Sequence, residues 1–165
     1  DKIKIGIYGY GNLGKGVETA IYNNEDVELV GVFTRRDPST LKTLHSETKV
    51  FSVDDVKNMQ NKIDVMILCG GSATDLPKQT PKIAKLFNTV DSFDTHAKIP
   101  EYFKSVNTEA KESNHLSLIS CGWDPGLFSL NRALLEAILP TGNNYVFYGK
   151  GLSQGHSDAI EELME

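Results

Sequence analysis

Thr34, Arg35 and Arg36 stand about 20 residues beyond the turn Gly9-Tyr10-Gly11-Asn12-Leu13-Gly14, a spacing that belongs to dinucleotide chemistry. In a nucleotide-binding βαβ unit, the residue at that distance meets the adenosine ribose. A carboxylate there would accept hydrogen bonds from a free 2′-hydroxyl. Two guanidiniums and a hydroxyl instead supply donors and positive charge to a 2′-phosphate, so this pattern predicts NADP as the cofactor.

Two carboxylates mark a second chemistry. Asp94 and Asp124 each follow a predicted strand, where an ammonium group could be held between them. An α-amine must be neutral when hydride leaves its carbon, and a carboxylate that anchors the ammonium can take its proton. Each also has a plainer reading: Asp124, before Pro125, as a helix N-cap, and Asp94 as a polar turn residue. Trp123, the only tryptophan, reads either as a core anchor or as an apolar wall beside Gly122 for a carbon chain or a nicotinamide. Cys69 reads as a small apolar residue whose backbone lines the cleft, since no histidine stands near it in sequence to make it a nucleophile. Cys69 and Cys121 suit reduced thiols, and the four histidines share no ligand spacing with them, so no metal site is expected.

These groups need a scaffold, and the pattern supplies one. Residues 2–8 alternate like a strand, residues 13–22 carry Val17, Ala20 and Ile21 at helical spacing, and residues 28–34 form a second strand. The glycine turn therefore lies between strand and helix, where backbone N–H groups and a partial positive charge face a pyrophosphate. A long polar connection follows to residue 49, with one helical turn after Asp37-Pro38, and then a short helix over residues 53–58. Residues 63–68 read as a buried parallel strand ending in Cys69-Gly70-Gly71-Ser72. A helix is expected over residues 74–87, broken near Thr80 by Pro81, then a strand over 88–93. A helix over 99–113 and a strand over 116–120 lead to Cys121-Gly122. The last helix is expected to start with Asp124 as N-cap and Pro125 at its first position, to present Leu127, Leu130, Leu134, Leu135 and Ile138, and to stop at Pro140.

Strands alternating with helices predict an α/β fold of Rossmann type, a doubly wound parallel sheet whose ligands bind at the carboxyl ends of the strands. Each unusual group falls on such an end. Residues 1–143 read as the NADP-binding domain. Residues 144–165, a strand, a glycine-punctuated loop and a helical run, read as the opening of a second α+β domain for substrate binding and dimerisation, at which the sequence breaks off.

Size and charge narrow the class. A chain of 165 residues buries about 70% of its unfolded surface, enough for a real core. Its net charge of −5 argues against a nucleic-acid partner and requires the cofactor site to be a local positive island. No apolar run reaches the roughly 18 residues of a membrane span, and the N-terminus lacks the regions of a signal peptide, so a cytoplasmic protein with no membrane association is expected.

Together, Gly9-Tyr10-Gly11-Asn12-Leu13-Gly14, Thr34-Arg35-Arg36, Gly71-Ser72-Ala73-Thr74-Asp75, Asp91-Ser92-Phe93-Asp94, Gly122-Trp123-Asp124-Pro125-Gly126 and Gly151-Leu152-Ser153-Gln154-Gly155-His156-Ser157-Asp158 resemble meso-diaminopimelate dehydrogenase. The resemblance runs along the whole chain but covers only the cofactor half of that family's longer chain. It implies reversible, NADP-dependent oxidative deamination of the D-centre of meso-2,6-diaminopimelate to L-2-amino-6-oxopimelate and ammonia, in lysine biosynthesis, by a homodimer. The family's cofactor contacts fall on Tyr10, Gly11, Asn12 and Leu13 of the turn, on Thr34, Arg35 and Arg36, on Cys69, Gly70, Gly71 and Ser72, on Ser92, Phe93 and Asp94, and on Cys121, Gly122, Trp123, Asp124 and Pro125. Its substrate contacts fall on Asp94, Asp124, Tyr148, Gln154 and Gly155, and Trp123 joins them as the apolar wall. Some members carry a tryptophan where Tyr148 stands, which keeps the aromatic wall and removes a hydroxyl.

Two other readings compete. One is a cofactor-binding module or truncated remnant without turnover; the other is an oxidoreductase of the same nucleotide fold acting on another D-amino acid, a hydroxy acid or a sugar. The hydroxy acid or sugar enzyme would call for a lysine or histidine base near the nicotinamide.

Overall fold

The computed structural model describes residues 1–123 and 126–143. Six strands form one sheet, β1 (Ile3–Tyr8), β2 (Val27–Thr34), β3 (Val50–Ser52), β4 (Val65–Leu68), β5 (Asn88–Asp91) and β6 (Ser117–Leu118), in the order β3-β2-β1-β4-β5-β6. Each neighbouring pair is parallel. The order reverses direction between β1 and β4, and at that crevice an open α/β sheet binds its ligand. The helices are α1 (Asn12–Tyr22), α2 (Leu76–Ala84), α3 (Ile99–Glu112) and α4 (Leu127–Ile138). This is the expected doubly wound Rossmann-type sheet.

Both faces of the sheet are covered. On one side Ile5, Ile7 and Val32 pack with Tyr10 and Ile21 of the α1 layer; on the other Phe33, Met66 and Leu68 meet Leu76, Ile83, Tyr102 and Val106 from α2 and α3. Each fully buried side chain of this kind contributes about 1.5–3 kcal/mol.

Four local expectations change. The connection before residue 50 ends in a strand, β3, whose three residues pair with residues 32–34 of β2. The helix over residues 53–58 is a 3-10 helix, Val53–Met59, capped by the Ser52 hydroxyl accepting from the Asp54 N–H. Pro81 does not break α2, which runs through it to Ala84. The missing N–H of Pro81 removes one helical bond, but Thr80, Ile83 and Ala84 are buried around it and tertiary packing holds the turn.

The fourth change concerns α4, which is capped by Gly126 and starts at Leu127, after the expected N-cap. The first helical N–H groups are satisfied by backbone carbonyls, Leu127 to Gly122 at 3.3 Å and Phe128 to Trp123 at 2.8 Å, so no aspartate side chain is required there. Gly126 has φ +147°, and a Cβ on it would sit 1.6 Å from the Gly122 oxygen, which only glycine tolerates. Asp124 and Pro125 lie outside the described residues. Leu127, Leu130, Leu134, Leu135 and Ile138 are all exposed along α4, with none of the described layers over them.

Candidate functional site

A cleft of about 270 Å³ opens at the carboxyl ends of β1, β2 and β4, lined by Gly9, Tyr10 and Gly11, by Thr34, Arg35 and Arg36, and by Cys69, Gly70 and Gly71. The three motifs read from the sequence thus meet in space. Tyr8, Phe33, Val53, Asp75 and Gln79 complete the wall.

The glycine turn is built by close approach. Gly9 has φ +94°, a conformation open to glycine, and its N–H donates to the Phe33 carbonyl at 2.9 Å. A Cβ on Gly14 would lie 2.6 Å from the Gly9 oxygen, so the absence of a side chain lets α1 pack against the end of β1. Gly11 has open space where its side chain would be, which leaves the α1 N-terminus accessible to an anion. The Tyr10 ring does not enter the cleft. It is buried, and its hydroxyl donates to Glu18 of α1, so Tyr10 offers the cleft its backbone.

Glu18 is fully buried and gathers four donors: the hydroxyls of Tyr10 and Thr48 and the N–H groups of Leu44 and His45. Burial alone would push its carboxyl up, but these hydrogen bonds outweigh that and hold it below the usual glutamate value. Burial and the Glu18 contact push Tyr10 up to about 12, so the phenol remains a donor. The network ties the glycine turn to the connection that follows β2.

At the end of β2, Thr34 is buried and its hydroxyl accepts from the Arg36 N–H at 3.1 Å, while the side chains of Arg35 and Arg36 reach the surface. Arg35 pairs across the cleft with Asp75 at 3.0 Å. The thiol of Cys69 is pushed up to about 12 by burial, which agrees with its reading as an inert wall and not as a nucleophile. Gln79 places its side-chain oxygen beside Gly70, buried and without a hydrogen-bond partner among the described residues.

The remaining predicted residues form a second loop group, organised by a residue the sequence reading left out of the site. Asp91 is buried at the end of β5 and accepts from Thr80 and Tyr102 hydroxyls and from the Phe93 and Ser120 N–H groups. Its carbonyl takes the Cys121 N–H at 2.8 Å. One residue therefore fixes both the loop carrying Ser92 and Asp94 and the start of the loop carrying Cys121 and Gly122. The Asp94 N–H donates to Ser72 Oγ at 3.0 Å, which joins this group to the β4 loop. Phe93 has its side chain in the core, stacked on Tyr102 at 3.9 Å, and leaves only backbone for a ligand. Trp123 is no core anchor; it is exposed and stacks on Phe128 at 5.7 Å. Asn12 and Leu13 lie exposed in the first turn of α1. Asp124, Pro125, Tyr148, Gln154 and Gly155 lie outside the described residues.

The residues present fit a dinucleotide. The turn around Gly9, Gly11 and Gly14 admits a pyrophosphate, the end of β2 carries cations for a 2′-phosphate, and the unpaired Gln79 oxygen is an acceptor for a ribose hydroxyl. Among the described residues no cluster of metal-ligating side chains occurs, and no helix is long and apolar enough to cross a membrane.

Comparisons with known proteins point the same way. Residues 122–165 match the family described as "Diaminopimelic acid dehydrogenase C-terminal domain". The chain is 64% identical to the meso-diaminopimelate D-dehydrogenase of Ureibacillus thermosphaericus, over 98% of this chain and 49% of that protein. A solved mutant meso-DAP dehydrogenase from Clostridium tetani, with DAP, is 56% identical with a TM-score of 0.81, over 97% of this chain and 49% of that one. An engineered D-amino acid dehydrogenase bound to NADP+ is 44% identical with a TM-score of 0.81, over 98% of this chain and 49% of that one. The chain spans about half the length of the curated relatives it matches.

Proposed function

Over nearly its whole length the chain corresponds to the N-terminal half of the meso-diaminopimelate D-dehydrogenases, and on that premise we propose that it is the cofactor half of such an enzyme. The reaction is NADP-dependent, reversible oxidative deamination of the D-centre of meso-2,6-diaminopimelate to L-2-amino-6-oxopimelate and ammonia, a step of lysine biosynthesis. The observation that carries it is the meeting of the glycine turn, the Thr34-Arg35-Arg36 cations and the β4 loop around one cleft, in a chain this similar to those enzymes.

When bound, NADP+ supplies the hydride acceptor. The protein's share is positioning. Gly9, Gly11 and Gly14 admit the pyrophosphate, Thr34, Arg35 and Arg36 take the 2′-phosphate, and Ser72, Ser92 and Phe93 with Cys121, Gly122, Trp123 and Pro125 line the nicotinamide end. Asp94 and Asp124 hold the substrate ammonium and accept its proton as the D-carbon gives up hydride. Trp123, Tyr148, Gln154 and Gly155 bound the substrate. Residues 144–165 open the substrate and dimerisation domain, a reading supported by the apolar face of α4, which none of the described layers covers. The whole protein is a cytoplasmic homodimer in this reading.

Titration of the chain with NADPH and NADH tests the cofactor. NADPH should bind more tightly by about 1.5–3 kcal/mol, the range for hydrogen bonds to a charged group. Equal affinities defeat the role given to Arg35 and Arg36. For the substrate, the protein carrying this chain should produce NADPH from meso-diaminopimelate at alkaline pH; turnover of a different amino or hydroxy acid alone would defeat it.

A further inference from the structure

Asp75 sits at the N-terminus of α2, the place of a helix N-cap, yet its side chain makes no capping bond to that helix. Its two carboxylate oxygens turn into the cleft instead. Oδ1 lies 3.0 Å from Arg35 Nη1 at the end of β2, and Oδ2 accepts the Gly71 N–H at 3.2 Å at the end of β4. Both partners are cleft walls assigned above to the dinucleotide, one a cation for the 2′-phosphate and the other a backbone donor. A carboxylate and a phosphoryl group compete for such donors, because each presents anionic oxygens that accept the same charge-assisted hydrogen bonds.

We infer that Asp75 is an internal anion that sets cofactor discrimination, by occupying Arg35 and Gly71 until a 2′-phosphate displaces it. This deepens the NADP reading and rests on it. Displacement is cheap enough to be functional: the Arg35 side chain is 67% exposed and the Asp75 side chain 23%, so the pair is solvent-screened and worth little on its own. A dinucleotide with a free 2′-hydroxyl brings no anion to Arg35, so it leaves the pair in place and gains nothing from its removal.

The test is Asp75→Asn, which keeps an oxygen for the Gly71 N–H and removes the charge facing Arg35. NADPH and NADH are titrated by fluorescence at low and high salt, with Glu101→Gln as a charge-matched change on exposed α3 and thermal unfolding to verify the fold. The Asn variant should bind NADPH about two- to five-fold more tightly, the span set by exposed ion pairs, with NADH moving less and the gain shrinking in salt. In an Arg35→Met background the same change should add no NADPH affinity. Unchanged or weaker NADPH binding, an equal gain for both cofactors, or a gain that persists in Arg35→Met overturns the inference while the NADP reading stands. If the unmodified chain fails to bind NADPH, that reading falls and the inference with it.

Discussion

The phenolic hydroxyl of Tyr10 in the glycine turn donates to the carboxylate of Glu18, two turns along the helix that the turn begins. The same carboxylate holds Thr48 and two backbone N–H groups of the connection after β2, so one buried anion braces two walls of the cleft. Glu18→Ala removes the common acceptor of these donors; the Leu44 N–H keeps the Tyr10 hydroxyl and Thr48 keeps Tyr22, and each donor left buried without a partner costs roughly 1–3 kcal/mol. Chemical denaturation should show a loss larger than that of Tyr10→Phe, which removes the bond to Glu18 and one acceptor of the Leu44 N–H but keeps the anion and its bonds to Thr48, Leu44 and His45.

Glu18 also gives a pH dependence. Its folded-state carboxyl lies below the ordinary 4.5, so its contribution to stability is present above that value and is lost as pH falls through the lowered one. Unfolding midpoints of the native chain should therefore drop below pH 4.5 more steeply than those of Glu18→Gln. Parallel acid limbs for the two proteins would contradict this account of the network.

Asp91 is the equivalent brace for the loops that carry Ser92, Asp94 and Cys121. Asp91→Ala should destabilise the fold by several kcal/mol, because four donors lose a common acceptor, and should expose the Phe93 and Ser120 amides to hydrogen exchange. Thr80→Val, which removes one donor, should cost about 1 kcal/mol and leave those amides protected.

The nucleotide unit was legible because its signals are local: alternation in β1 and β2, glycines at fixed offsets, cations one strand away. Of the residues that escaped, Glu18, Asp91 and Asp75 meet partners distant in sequence, as when Glu18 meets Thr48, Asp91 meets Ser120 or Arg35 meets Asp75, and Gln79 faces Gly70 with no bond to mark it. No spacing rule encodes such a meeting. Strand β3 escaped for a different reason, since three residues are too few to show alternation and its pairing with β2 decides its state. Pro81 misled because tertiary packing holds α2 through it, and the start of α4 because the Gly122 and Trp123 carbonyls do what a side-chain cap was expected to do.

Cysteine labelling offers a check on the cleft floor. Cys69, with its thiol pushed up to about 12 by burial, should react with iodoacetamide at pH 8 far more slowly than exposed Cys121. Urea sufficient to unfold the chain should equalise the two rates. Fast labelling of Cys69 in the folded protein would show that the β4 loop opens more than its packing indicates.

Three glycines separate folding from binding within one helix. Gly16 faces open space and is exposed inside α1, so Gly16→Ala should raise stability by up to about 1 kcal/mol and leave NADPH affinity unchanged. Gly14→Ala drives a methyl to 2.6 Å from the Gly9 oxygen, and because both sides are backbone the helix must shift. It should lose about 1–3 kcal/mol of stability along with affinity. Gly11→Ala meets no atom within 4 Å, so the fold should keep its midpoint. Its methyl instead enters the space needed by a pyrophosphate at the α1 N-terminus, and NADPH binding should fall at least ten-fold, about 1.4 kcal/mol. Denaturation and NADPH titration of the three variants measure both quantities, and a Gly11→Ala protein that binds like the native chain would move the pyrophosphate off this turn.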